Sequence, residues 1–263
     1  GVDAAPLTSR LGADAAPLTR RRGTDAAPLT RRGYAARMKT LQELVNDEDP
    51  ALPLVMEWLD QASNDVRVLP CEPDLGDQTL LDLQVTTRSP MGAIAHRTGG
   101  LLIDEGWVRV LGASSDALPR SITTWNGMRE ERAPRLDGAV LVGDDAVGGF
   151  FAISGGGIAV PSGNVGYYAP DTLCWEDTGA RYSQWLRWLF QGDLEVFYGN
   201  ARWPEWREET RKLRGDQGFH VYPPLFARGP AVGERSRKAV PLDELWILYV
   251  ETLPAQLARS ADE

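Results

Sequence analysis

Between Leu141 and Trp175 the chain alternates short apolar runs with acidic and glycine punctuation, and few folds accommodate that pattern. Leu141-Val142 stops at Asp144-Asp145. Phe150, Phe151 and Ile153 resume after Gly148-Gly149, and Val165-Gly166-Tyr167-Tyr168 follows Pro161-Ser162-Gly163-Asn164. Aromatic and β-branched residues between Gly and Asp clusters predict strands. Aspartate tolerates left-handed geometry and glycine has no Cβ to clash, so both clusters suit tight turns. Ala169-Pro170-Asp171 closes the series, because proline cannot donate to a ladder. The expectation is three short strands joined by turns, with the amphipathic segment after Tyr182 packed onto them.

Gly155-Gly156-Gly157 is not a phosphate cradle. Such loops need a helix N-terminus behind them so that N–H groups converge on the anion, and Ile158-Ala159-Val160-Pro161 offers none. Asp144, Asp145 and Asp171 fit no cation-loop spacing and read as solvated turn carboxylates.

Helices and strands surround this centre. Thr40-Leu41-Gln42-Glu43 is a capping-box pattern, and Asp49-Pro50 predicts a helix start with Leu52, Val55, Met56 and Leu59 as its buried stripe. Val66 to Leu69 alternates like a strand and stops at Pro70, and Asp77 is expected to cap a short helix through Leu83. Gly99-Gly100 separates two extended pieces. Leu101 to Ile103, Asp104-Glu105-Gly106 and Trp107 to Leu111 then predict a β-hairpin. A helix is expected over Leu118 to Trp125, ended by Asn126-Gly127, and another on Tyr182, Trp185, Leu186, Leu189 and Phe190, ended by Gly192. Pro204 opens a further helix, Gly215 to Pro230 reads as a loop, and Leu242, Leu245, Trp246 and Tyr249 mark a last helix.

The front of the chain differs. DAAPLT recurs at Asp3, Asp14 and Asp25, and each copy carries helix-breaking Pro and Gly with almost nothing to bury. Residues 1–37 are therefore expected to be disordered. Met38 is a more natural start than Gly1, and the upstream part reads as translated tandem-repeat DNA. Those 37 residues hold seven Arg and three Asp, so the remainder carries −13 of a net charge of −9. A body that acidic repels nucleic-acid phosphates; its charge serves solubility or attracts basic partners. No apolar run approaches the ~20 residues of a membrane helix. Cys71 and Cys174 are too few for a disulfide framework or zinc site and are expected as buried free thiols in a reducing cytoplasm.

Candidate sites are few. His96 and His220 are the only histidines, and neither has a ligand partner at close spacing. His96 could pair with Ser89, but no nucleophile elbow supports it and Ser89-Pro90 suits a turn. Glu57, Asp104, Asp144 and Glu176 could supply paired carboxylates, although nothing in the sequence brings two together. No catalytic, metal or cofactor residue is assigned. Trp203 and Trp206, flanked by Arg202 and Arg207 in a polar stretch, are candidate interface anchors. Arg109, Asp144, Asp145, Trp203, Trp206 and Arg207 form the candidate partner-binding set.

QVTTRSPMGAIAHRTGGLLIDEGWVRVLG (Gln84 to Gly112), LVGDDAVGGFFAISGG (Leu141 to Gly156), YYAPDTLCWEDTG (Tyr167 to Gly179) and GDLEVFY (Gly192 to Tyr198) resemble an uncharacterised bacterial family, domain of unknown function 2625. GDDAVGGFFAI, the strand tyrosines and the Trp-bearing helix near Ser183 are more loosely similar to the SUKH superfamily of α+β regulatory and toxin-immunity proteins. That likeness implies a non-enzymatic binding protein. The long front half, Thr40 to Gly112, departs from it.

The combined expectation is one α+β domain over 38–254, a mostly antiparallel sheet flanked by helices, with 255–263 a frayed tail. Its function would be cytoplasmic protein binding, as in an immunity protein that neutralises a basic toxin. A hydrolase or transferase using His96 with a nearby carboxylate is the alternative, and a structural or regulatory scaffold is the third reading.

Overall fold

A computed structural model describes residues 37–129 and 134–261. The repeats at Asp3, Asp14 and Asp25, and the disorder expected of them, lie outside the described residues.

In chain order the helices before the central strands are α1 (Leu41–Leu44), α2 (Leu52–Asp60), α3 (Pro73–Leu83), α4 (Pro90–Arg97) and α5 (Ile122–Trp125). The strands are β1 (Val66–Leu69), β2 (Gly100–Ile103), β3 (Val108–Leu111), β4 (Ala139–Asp145), β5 (Phe150–Ser154), β6 (Asn164–Ala169) and β7 (Cys174–Arg181). They form one antiparallel sheet in strict chain order. Then come α6 (Tyr182–Gln191), α7 (Leu194–Tyr198) and α8 (Trp206–Thr210). A separate hairpin of β8 (Gln217–Tyr222) and β9 (Ser236–Pro241) leads into α9 (Leu242–Trp246) and α10 (Leu253–Ala261). This is the α+β architecture expected.

The register assigns the two sheet faces. Arg67, Leu102, Arg109, Asp144, Phe150, Tyr168 and Trp175 stand opposite one another strand by strand. Val68, Leu101, Val110, Gly143, Phe151, Tyr167 and Glu176 make the adjacent row. Side chains alternate along a strand, so adjacent rows face opposite ways. α6 covers the Phe151 face: Tyr182, Trp185, Leu186, Leu189 and Phe190 are all buried, as their spacing predicted. Gly143 admits Trp185, whose ring would meet an added Cβ at 3.2 Å. On the Phe150 face, Trp246 meets Phe150 edge-on at 5.0 Å and the Tyr168 hydroxyl donates to the Tyr249 carbonyl at 2.6 Å. Each such buried aromatic contributes on the order of 2–3 kcal/mol of transfer free energy.

Several local expectations are corrected. Pro90 to Arg97 is a helix, not an extended piece: Ser89 Oγ accepts from Gly92 N at 3.0 Å, and Pro90 fills the first turn. α2 starts at Leu52 behind a buried Ala51, its buried residues are Val55 and Trp58, and Met56 is exposed. Asp77 lies inside α3, which begins four residues earlier. Gln217 to Tyr222 is a strand, because β9 supplies it with a partner. The helical path continues past Pro254 to Ala261. Ile247–Thr252 widens to π geometry just before Pro254, a residue that cannot donate to the turn behind it.

Candidate functional site

Asp144 is completely buried between two guanidiniums. Arg120 Nη1 and Nη2 donate to its two oxygens at 2.6 and 2.9 Å, and Arg109 Nε lies 2.6 Å from Oδ1. Arg109 Nη2 donates to the Asp145 carbonyl at 2.7 Å and Nη1 to the Gln217 carbonyl; Arg120 Nε donates to the Gly215 carbonyl at 2.8 Å. Burial lowers the Arg109 pKa from the usual guanidinium range, and the neighbouring Asp144 charge works in the opposite direction. This cluster ties β3 and β4 to the segment that enters β8. Its donors are spent on structure.

Asp145 points to the opposite face. Its Oδ1 accepts from Val147 N at 3.0 Å and Gly149 N at 2.7 Å, and its Oδ2 accepts from the Tyr167 hydroxyl at 2.7 Å. Burial raises its pKa, while these three hydrogen bonds pull it down. The solvated turn carboxylates expected from the sequence are therefore corrected: both aspartates are inaccessible. The turn does form as foreseen, and the Asp145 side chain caps it.

Trp203 and Trp206 are buried too, around Trp107 at ring separations of 5.6 and 5.1 Å. The Arg202 guanidinium lies 3.9 Å above Trp206 and pairs with Asp104 at 2.7 Å and Glu195 at 3.0 Å. The structure thus brings Arg109, Asp144 and Asp145 together below the surface and packs Trp203 and Trp206 elsewhere in the core. Only Arg207 of the candidate set remains exposed, stacked on Trp206 at 4.3 Å. An exposed Trp203/Trp206 patch does not exist in this conformation.

His96 Nε2 lies 2.8 Å from Asp77 Oδ1, so the structure does supply that histidine with a carboxylate. A nucleophile is harder to find beside it. Ser89 Oγ accepts from Gly92 N and donates to the Thr86 carbonyl. Burial raises the Cys71 pKa, which disfavours a thiolate. His96 lines none of the three cavities named here. Among the described residues no cluster of three or more His, Cys, Asp or Glu is placed to hold a metal ion.

Those cavities hold about 720, 800 and 530 Å³. The first lies over Arg67, Leu102 and Arg109; the second is framed by Tyr167, Phe197, Tyr198 and the loop after β8; the third is rimmed by Asp65, Asp104, Asp193 and Glu195. Arg120 and Tyr198 were not foreseen as site neighbours, because only the folded chain brings them to Asp144 and Tyr167.

The surface carries a different signal. Residues 38–85 contain eleven acidic and two basic residues, net −9, and they build α1, α2, β1 and α3. Asp47, Glu48, Glu57, Asp60, Glu72 and Asp74 are exposed and make no ion pair with a described residue. Leu54, Met56, Val68 and Leu75 are exposed among them at 40–46%.

These features define an α+β protein built on a seven-stranded antiparallel meander, with Asp144 buried between two arginines and an acidic front half that is mostly helical. The chain belongs to the family described as protein of unknown function DUF2625, whose sequence profile matches residues 41–245. It is 42% identical over 209 residues to the uncharacterized protein YbfG of Escherichia coli (strain K12), covering 80% of this chain and 94% of that protein. An uncharacterized protein of Haemophilus influenzae is 34% identical over 208 residues, 78% of this chain and 91% of its own length. No solved structure matches. Among the described residues no helix is long and apolar enough to cross a membrane.

Proposed function

We propose that this chain is a cytoplasmic protein-binding module whose acidic helical layer receives a basic partner, such as a toxin that it neutralises. The observation that carries this reading is the concentration of charge: residues 38–85 supply −9 of the −13 borne beyond residue 37. Unpaired carboxylates interspersed with exposed Leu54, Met56 and Leu75 suit a basic surface with apolar anchors. Charge of this kind accelerates encounter and selects the partner, and desolvated apolar contacts slow dissociation. The looser resemblance of the Gly143 to Ile153 stretch to SUKH proteins points to the same class. The two free cysteines, Cys71 half-buried and Cys174 exposed rather than buried as expected, accord with a reducing compartment.

The His96–Asp77 pair keeps a second, hydrolytic reading in view. It lacks an available nucleophile among the neighbours named above.

The test is affinity capture with three proteins: wild type; a layer variant with Asp47→Asn, Glu48→Gln, Glu57→Gln and Asp60→Asn; and a control with Glu205→Gln, Glu208→Gln and Glu244→Gln. A partner retained by wild type and control, lost by the layer variant and eluted by salt is the expected result. Equal retention by all three proteins, or no partner above background, would sink the reading.

A further inference from the structure

We infer that the cavity of about 800 Å³ between α7, the end of β6 and the loop after β8 is a binding site for a small organic acid with a flat apolar body. The inference is independent of the acidic layer, which lies on other elements. The volume falls within the range that encloses most of a small ligand.

One wall is aromatic and preformed. Tyr167 meets Phe197 edge-on at 5.2 Å and Phe197 meets Tyr198 at 4.7 Å, so the rings fix one another. Their packing on the sheet leaves little side-chain entropy to lose when a ligand arrives. The opposite wall is Leu225, Phe226 and Val232 from the loop. Arg235 holds that loop in place from within: its guanidinium donates to the carbonyls of Pro223, Pro224, Ala227 and Pro230. The wall is thus a shaped surface.

The charge of the lining runs against that of the whole protein. Arg228 and Arg235 face a single carboxylate, Asp171, in a body that is strongly acidic. Arg235 is engaged by the loop it holds. Arg228 is exposed and makes no hydrogen bond or ion pair with a described residue. An unpaired guanidinium at the mouth of an aromatic slot matches a carboxylate on a planar apolar ligand, because it can bind both oxygens at once.

The experiment is calorimetric titration of the full chain with 1-naphthoate and with neutral 1-naphthalenemethanol. Saturable binding of the acid with a Kd on the order of 100 µM is expected, with the alcohol at least about tenfold weaker. Arg228→Gln, at an exposed position, should weaken the acid to the level of the alcohol. Ala201→Phe, which places a ring inside the cavity, should abolish binding of both. Equal affinity for acid and alcohol, unchanged binding of the acid by either variant, or no saturable binding below about 5 mM overturns the inference.

Discussion

At the residue scale the two adjacent aspartates do different work although they look alike in sequence. Asp144 is the shared counter-charge of Arg109 and Arg120 in a buried cluster. Replacing it with alanine leaves two guanidiniums without a counter-charge, and breaking such a pair costs about 3–5 kcal/mol. Urea denaturation of Asp144→Ala should show a loss of that order, and a loss below about 1 kcal/mol would contradict the account. Asp145 forms no salt bridge among the described residues, although the Arg109 charge favours its ionised form, and it holds the β4–β5 turn through Val147 N and Gly149 N. Burial raises its folded pKa above the ordinary aspartate value of 3.8. The folded state therefore binds this proton more tightly than the unfolded state. Its contribution to stability is greatest at acid pH and declines as pH rises from 3.8 through the raised folded value. Asp145→Asn keeps the turn acceptor and cannot ionise. It should lose less stability than wild type as pH rises above about 4. Parallel stability-against-pH curves for the two proteins would refute the assignment. Neither role was legible in the sequence. Alternation places Asp144 and Asp145 on opposite faces, but which face held Arg120 depended on a segment 24 residues upstream.

At the element scale, what could be read was what local chemistry alone decides. β1, the hairpin of β2 and β3, and α6 formed where period and punctuation placed them, since each is a short apolar run or stripe with an unambiguous stop. The Thr40 N–H donates to Glu43 Oε2 at 2.8 Å, as the capping-box pattern foretold. The misses share a tertiary cause. α4 is short and contains Gly92, a weak helix former that is there because an added Cβ would lie 2.2 Å from the Thr86 carbonyl oxygen. β8 sits in a Gly- and Pro-rich run and becomes a strand only through β9, fourteen residues farther on at the Tyr222–Ser236 pair. Ser89 was visible as a turn former and is in fact the N-cap of α4. Ser89→Ala removes the acceptor for Gly92 N and should lower stability by about 1 kcal/mol, read as a shift in urea midpoint at constant slope. An unchanged midpoint would mean that the eight-residue helix is held by packing alone.

For the whole molecule, the distribution of charge matters more than its total. The acidic layer places Asp47, Glu48, Glu57, Asp60, Glu72 and Asp74 on one stretch of fold with almost no compensating cations. The sequence showed the excess. The fold adds that Asp47 and Glu48 lie in the α1–α2 loop, Glu57 and Asp60 on α2, and Glu72 and Asp74 at the start of α3, while the buried cluster at Asp144 is shielded from solvent. Repulsion among exposed like charges destabilises the compact state, and salt screens it once the Debye length falls to ~10 Å near 0.1 M. The thermal midpoint of the wild type should therefore rise as sodium chloride goes from about 0.02 M to about 0.5 M. Neutralising those six carboxylates should raise the midpoint at low salt and flatten its salt dependence. Neutralising Glu205, Glu208 and Glu244 instead should leave the slope close to that of the wild type. If all three proteins respond to salt alike, the layer carries no unusual field, and the physical basis for recruiting a basic partner there disappears with it.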